Sequence, residues 1–405
     1  MRTRYIGILP IILALLSQSC PSGAVRCSSV HGKPPSASIF CTLLGKKASI
    51  GQIRGAVYKK NFVYDLLSVH MSSVQASHLE DTMSVMFWNV ENFFDWRNDS
   101  TTVSDLEFSP AGERHWTWKR FQAKANAFAK ALFWVEGETG RLPDIVGLEE
   151  VENAFVLRQL LQKTVLRKTD YKYVHSDSPD RRGIDVALLY RSSVLDLIDS
   201  KPCHLYDADT VMATRDILLC IFRRETPDST AFAVLVNHHP SKYGGAAESE
   251  PRRRIAVERL RFLADSLAAI GIGRIVAGGD FNDTPDNPVF RLLEPSLMPT
   301  HMDLHCHGQG TIKYDGKWDL IDHIYVSSGW VFLPSAGLAL PADRPVSTAP
   351  SPSLTPRMRI LRIPFLLTRD NVHSGEKPLR TYTGPRHTGG VSDHLPVMVE
   401  VELPP

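Results

Sequence analysis

A chain of 405 residues, 43% hydrophobic and 22% charged, carries enough apolar material for a substantial buried core, which excludes a disordered polymer. A formal net charge of only +2 neither demands nor excludes nucleic acid, because local patches rather than totals set phosphate binding. Six cysteines without metal-ligand spacing exclude a cysteine-based zinc module and leave any disulfide pairing open.

At the N-terminus, Arg2 and Arg4 precede an apolar stretch from Tyr5 to Leu16 and then small and polar residues. This is a signal-peptide pattern, too short for a membrane span, and it predicts an exported protein, secreted or periplasmic, with no integral span in its mature form. Ser22 and Ala24 satisfy the small–x–small rule for cleavage after residue 24. Lipid attachment at Cys20, giving a form anchored to the cell envelope, competes with that reading but meets Ser17 where a leucine is expected. Residues 25–82 show no clear periodicity and are read as an unassigned leader, with the domain expected over residues 83–403.

Within that domain, apolar strand-like runs fall at 85–90, 144–149, 185–190, 232–237, 274–280, 321–326 and 395–402. Phe121, Ala125, Phe128, Leu132 and Val135 recur at helical spacing and predict a helix over 117–135. A second amphipathic helix opens at Arg252, Arg253 and Arg254 and runs through Leu267. Such charge runs usually face solvent. Residues 334–356, rich in Pro, Ser, Thr and Ala, predict a long exposed excursion. Chemistry-bearing clusters span most of the chain and must converge on one site, so one large α/β domain with two packed sheets covered by helices is expected.

The clusters stand where the apolar runs end. Val276-Ala277-Gly278-Gly279-Asp280-Phe281-Asn282 presents Asp and Asn two residues apart, the spacing by which a strand delivers two side chains to one face. The run Ser84-Val85-Met86-Phe87-Trp88 stops at Asn89, and Ile145-Val146-Gly147-Leu148 ends in Glu149-Glu150. Phe232 to Val236 leads to Asn237-His238-His239-Pro240-Ser241. Near the C-terminus, Trp318-Asp319-Leu320-Ile321-Asp322 is followed by Val391-Ser392-Asp393-His394.

This ordered set of Asn, Glu, His, Asp-x-Asn, Asp and Asp-His resembles the endonuclease/exonuclease/phosphatase superfamily from about Met83 to Val401. Asn89-Val90-Glu91-Asn92, Asp177-Ser178-Pro179-Asp180-Arg181-Arg182-Gly183-Ile184-Asp185 and Asn237-His238-His239-Pro240-Ser241 are similar to a branch of its secreted bacterial members. The resemblance implies a four-layer α/β sandwich, two mixed sheets flanked by helices, with active residues gathered at one rim. It also implies metal-assisted phosphoester hydrolysis, in which charge is neutralised and water activated. Oxygen ligands favour Mg²⁺, or Mn²⁺, over Zn²⁺.

By that resemblance Glu150 is the leading metal ligand, with Asn89 and Asp393 beside it. Strand alternation leads us to expect only one of Glu149 and Glu150 to face the cavity. Asp280 is expected to activate the attacking water and Asn282 to donate to the phosphoryl group. His394, partnered by Asp322, donates to the phosphate, and His238 makes a phosphate contact or serves as general acid, while His239 packs. Arg181, Arg182 and Ser241 are candidate substrate contacts, since a guanidinium can hold two phosphate oxygens.

Three functions compete at this stage. The first is a secreted nuclease cutting nucleic acid; the second is a phosphatase or phospholipase C-like enzyme acting on an inositol phosphate or sphingolipid headgroup. The third, an inactive binding module, is disfavoured because every position of the acid, amide and imidazole set is filled.

Overall fold

The order of strand pairing is repeated in two sheets, and the repeat is what places the site. The computed structural model describes residues 82–98, 102–224, 230–242, 245–330 and 356–402. The signal segment, the leader up to residue 81 and the excursion up to residue 355 lie outside the described residues.

The first sheet contains β1 (Thr82–Phe93), β2 (Ile145–Val151), β3 (Tyr171–His175) and β4 (Asp185–Arg191). The second contains β5 (Leu195–Cys203), β6 (Ile217–Arg224), β7 (Phe232–His238), β8 (Ile275–Asp280), β9 (Met298–Pro299) and β10 (Asp322–Val326). The strands β11 (Arg359–Ile360) and β12 (Val397–Glu402) return to the first sheet. Its order is β11-β12-β1-β2-β4-β3, and that of the second is β9-β10-β8-β7-β6-β5. In each sheet one parallel pair, β1 with β2 or β8 with β7, is flanked by antiparallel neighbours. The carboxyl ends of both parallel pairs therefore open on one rim, where ligands of α/β sheets commonly sit.

Three apolar layers hold this arrangement. Helix α1 (Trp118–Thr139) is capped by the Thr117 side chain and closed by Gly140 in the left-handed conformation. With α2 (Ala154–Lys163) it covers the outer face of the first sheet, where Trp88 stacks on Phe128 at 5.3 Å. Helix α3 (Ala246–Ala269) covers the second sheet, its Val257 and Leu260 packing in one cluster with Leu235, Ile275 and Phe281. Between the sheets, Met83, Val85 and Phe87 meet Val234, Val236, Val276 and Ile324. The expected four-layer sandwich is the observed fold.

Phe87 explains two glycines. A Cβ on Gly147 or on Gly278 would stand 2.4 Å from its ring, so the ring occupies a slot that only glycine leaves open. The neighbouring Gly279 answers a different need, a backbone φ of +130°.

Each of the seven strand-like runs overlaps a strand, extending beyond it by at most two residues, at its start. The sequence reading missed β3, β5, β6, β9 and β11. Edge position explains four of them: β5 is largely exposed along its middle and carries Pro202, β3 is short, and β9 and β11 have two residues each. The apolar run in β6 suits a helix as well as a strand, and only its pairing with β5 and β7 decides. Cys203, Cys220 and Cys306 are free thiols. Among the described residues no helix is long and apolar enough to cross a membrane.

Candidate active site

Register brings the acids together. Asn89 lies opposite Glu149 across the parallel pair, and Asp280 lies opposite both His238 and Asp322. Asn89, Asp280, Asp322, His238 and His394 are all buried at this rim.

Asp280 is the hub. Its Oδ2 accepts from Asn89 Nδ2 at 3.1 Å and from Asn282 Nδ2 at 3.2 Å, and its Oδ1 accepts from the Asn282 backbone N–H at 2.8 Å. His238 Nε2 stands 3.6 Å and His394 Nε2 3.9 Å from the same Oδ2. Burial pushes the Asp280 carboxyl up to about 7, against the opposing pull of His394 and these hydrogen bonds. A carboxylate poised near neutrality suits general-base work.

His394 and Asp322 form the second unit. Asp322 accepts from Nδ1 of His394 at 2.9 Å and is steadied by the Thr311 hydroxyl. Burial opposes a charged ring, yet Asp322, its hydrogen bond and Asp280 together hold the His394 pKa well above the ordinary value. His394 is therefore an imidazolium whose other nitrogen faces Asp280. The carbonyl of His394 also accepts from the Trp88 indole at 3.0 Å, which anchors the unit to the core.

His238 is the opposite case. Burial, then Arg215 and Arg182, push its pKa well below the ordinary value, so the ring is neutral and can donate one hydrogen bond. This favours phosphate contact over the general-acid alternative. His239 packs on Phe281 with ring centroids 4.5 Å apart, as its packing role requires.

The expectation that one of Glu149 and Glu150 turns away does not survive. The register slips between Glu149 and Val151, and Glu150 adopts φ +64°, so alternation is broken at that residue. Glu150 Oε2 accepts from the Asn92 N–H at 2.8 Å and Oε1 lies 3.9 Å from His238 Nε2. Glu149 points into the same rim, fully buried, with neither carboxyl oxygen hydrogen-bonded. Burial, then Asp322 and Asp280, drive its pKa well above the ordinary range, which keeps it neutral. Backbone strain also concentrates here. Among the described residues seven non-glycine positions have positive φ, and Glu91, Asn92, Glu150 and Asn282 are four of them.

Asn282 departs from its expected role. Its amide donates to the His239 carbonyl at 3.0 Å as well as to Asp280, so it braces the base and has no free N–H for a phosphoryl oxygen. Arg182 lies 3.8 Å from Glu150, whereas Arg181 is exposed and outside this network. Ser241 is half-buried at the start of the loop after His238. In the arginine triplet on α3, Arg253 is buried and pairs with Asp283 at 3.1 Å, which corrects the solvent-facing expectation at that position.

Sequence reading also missed a charged group beside Glu150 and Asp393. Arg380 binds Glu91 through Nε at 3.0 Å and Nη2 at 2.9 Å and reaches Asp393 at 3.0 Å. Lys124, buried in α1, donates to the Glu91 carbonyl and to the Thr381 hydroxyl at 2.8 Å. Burial lowers its pKa to about 8, and burial with Asp393 raises that of Glu91 to about 7. A lysine on the apolar stripe of α1, three residues after Phe121, was the legible signal.

The donors here fit a hard divalent ion. Glu150 and Asp393 are oxygen donors partly open to solvent, with Arg182 3.8 Å from the first and Arg380 3.0 Å from the second. Asn89 Oδ1 accepts from the Glu91 N–H at 2.9 Å and keeps one lone pair.

A buried Asp–His pair, a near-neutral carboxylate and acidic oxygen donors at the rim of a two-sheet sandwich define a phosphoester hydrolase. The chain belongs to the Endonuclease/Exonuclease/phosphatase family, whose model it matches over residues 84–403. Members of this family typically depend on a divalent metal. No curated protein matches the chain. Similar solved structures include the human Nocturnin catalytic domain, 16% identical over 80% of this chain and 94% of that one, with a TM-score of 0.45. The TDP2 of C. elegans is 12% identical over 94% of this chain and 99% of that one, at 0.47. A mannosyl-6-phosphatase of Bacteroides thetaiotaomicron VPI-5482 is 15% identical over 79% and 99%, at 0.45.

Proposed function

We propose that the protein hydrolyses phosphodiester bonds with a bound Mg²⁺ or Mn²⁺ and that nucleic acid is its substrate. The observation that carries the hydrolytic reading is the Asp280–His394–Asp322 constellation beside Glu150 and Asp393. Glu150, Asp393 and Asn89 would hold the divalent ion, which would supply charge neutralisation at the phosphate. Asp280, braced by Asn89 and Asn282, takes the proton of the attacking water. His394 donates through Nε2 to a phosphoryl oxygen while Asp322 holds its ring, and neutral His238 adds a second hydrogen bond. Neutral Glu149 spares the rim another negative charge.

Nucleic acid is favoured by a cavity of about 160 Å³ beside Asn92, lined by Glu91, Phe108, Arg114, Arg380 and Tyr382. Arg114 lies 5.3 Å from the Tyr382 ring centroid, and its guanidinium with that of Arg380 gives the cavity two cations suited to a backbone phosphate. A specific observation supports the second reading, a small phosphoester. Arg253 is engaged in the fold, Arg181 stands outside the network and Lys124 is buried, so the solvent-exposed cations beside the acids are few, Arg182 and Arg380. The N-terminal pattern supports export as the setting.

Assaying the purified protein on plasmid, single-stranded DNA, RNA and a phosphomonoester panel separates the two. Chelator is expected to abolish hydrolysis and Mg²⁺ or Mn²⁺ to restore it. Full activity after exhaustive chelation would overturn the metal-assisted mechanism, and turnover confined to monoesters would overturn the nucleic-acid assignment.

A further inference from the structure

Where β3 gives way to the loop 176–184 and the loop returns into β4, His175, Asp177 and Asp185 bring an imidazole and two carboxylates together. Their ligand atoms lie within 4.8 Å of one another. The His175 side chain is only 4% exposed, and its Nε2 is buried without a hydrogen-bond partner. Leaving such a nitrogen unsatisfied is unfavourable, so its surroundings ask for a ligand.

The spacing indicates which kind. Nε2 stands 3.4 Å from Asp185 Oδ2. An N–H···O hydrogen bond prefers about 2.9–3.0 Å. Two ligands of one tetrahedral ion, with bonds near 2.1 Å, are about 3.4 Å apart. The other oxygen of Asp185 is taken by the Ser178 N–H at 2.9 Å and by the Ser178 hydroxyl. Ser178 thus fixes the carboxylate and leaves Oδ2 toward the imidazole. Asp177, 90% exposed, lies 3.9 Å from His175 Nδ1, and its carboxylate falls within the same 4.8 Å cluster.

We propose that His175, Asp177 and Asp185 form a second divalent-cation site, for an ion of the zinc or manganese class, which ties the loop 176–184 to the ends of β3 and β4. An imidazole in the donor set distinguishes it from the oxygen-only group around Glu150 and turns its preference away from Mg²⁺. The same loop carries Asp180, paired with Arg215 at 3.0 Å, and Arg182, 3.8 Å from Glu150. Occupancy therefore fixes a substrate-facing guanidinium as well as the loop.

The test uses zinc itself, titrated calorimetrically into the chelator-treated full-length chain, with limited proteolysis within 176–184 followed in parallel. Asp177→Asn and His175→Asn are each expected to weaken zinc binding at least ~10-fold and to remove zinc-dependent protection of the loop. Glu150→Gln should leave the zinc-dependent protection of the loop unchanged. Asp177 is exposed, so its variant keeps the test valid if His175→Asn folds poorly. Parental affinity and protection in Asp177→Asn would overturn the site, as would loss of protection in Glu150→Gln alone.

Discussion

One step of strand alternation separates the driest part of the molecule from its most acidic part. On β1 the inward face passes from Phe87 to Asn89, on β2 from Gly147 to Glu149, on β7 from Val236 to His238 and on β8 from Gly278 to Asp280. The interior layer gains by removing apolar surface from water, at roughly 25 cal/mol per Å². The rim holds Glu149, Asp280 and the His394 ring in the same desolvated setting, where burial raises the two carboxyls and the neighbouring carboxylates raise the imidazole. Neighbouring positions on the same strands are thus built for stability and for reactivity.

Substitutions at the rim should separate the two properties most sharply. Asp280→Asn and His394→Ala are each expected to reduce turnover on a diester at least ~10²-fold with circular dichroism unchanged. Near-parental turnover in Asp280→Asn would move the general base elsewhere.

The interior should respond in the opposite sense. Phe87→Ala is expected to reduce unfolding free energy by about 3–5 kcal/mol in urea denaturation. Gly278→Ala, which pushes a methyl against that ring, should reduce it by about 1–3 kcal/mol, and Phe87→Leu should rescue part of the loss. Turnover per folded molecule should be retained, and strict additivity of the two changes would refute the slot.

Titration links the two layers. Because Asp280 must be ionised to act as base, kcat/KM should fall as pH drops through about 7. Stability has the reverse sign. Burial, the chief cause, raises the folded pKa above the ordinary 3.8, so the carboxyl's contribution is fully present below that value and lost as pH rises through about 7. Asp280→Asn should therefore melt higher than the parent protein above that pH while remaining inactive. An unchanged or lower melting temperature would contradict the burial argument.

The smallest effect concerns the outer rim. Arg182→Ala should raise KM several-fold on polymeric DNA and flatten its salt dependence, with Arg181→Ala close to parental. Equal losses on polymer and on a small diester would place Arg182 in the catalytic centre.

Much of this comparison was legible beforehand because it rests on local pattern. Asn89 and Asp280 end apolar runs while Asp322 and His394 open them, and the structure brings all four to one rim. Glu91, Lys124 and Arg380 were not assembled in advance, since their partners lie 33 or more positions apart in the chain. The brace on Asn282 was hidden for a similar reason, as the carbonyl that takes its amide belongs to His239, just past the end of β7.

By itself the sequence determined the family, the order of the reactive clusters and the placement of seven strands and the first long helix, because alternation, helical period and strand-end polarity are local properties. Tertiary structure decided the rest. A bulge with φ +64° at Glu150 turns both glutamates inward, since a strand's face depends on hydrogen bonding to its neighbours as well as on its own residues. Burial of Arg253 against Asp283, and the opposite charge states of His238 and His394, follow from where distant chain segments remove water and supply partners, a matter of packing rather than of local pattern.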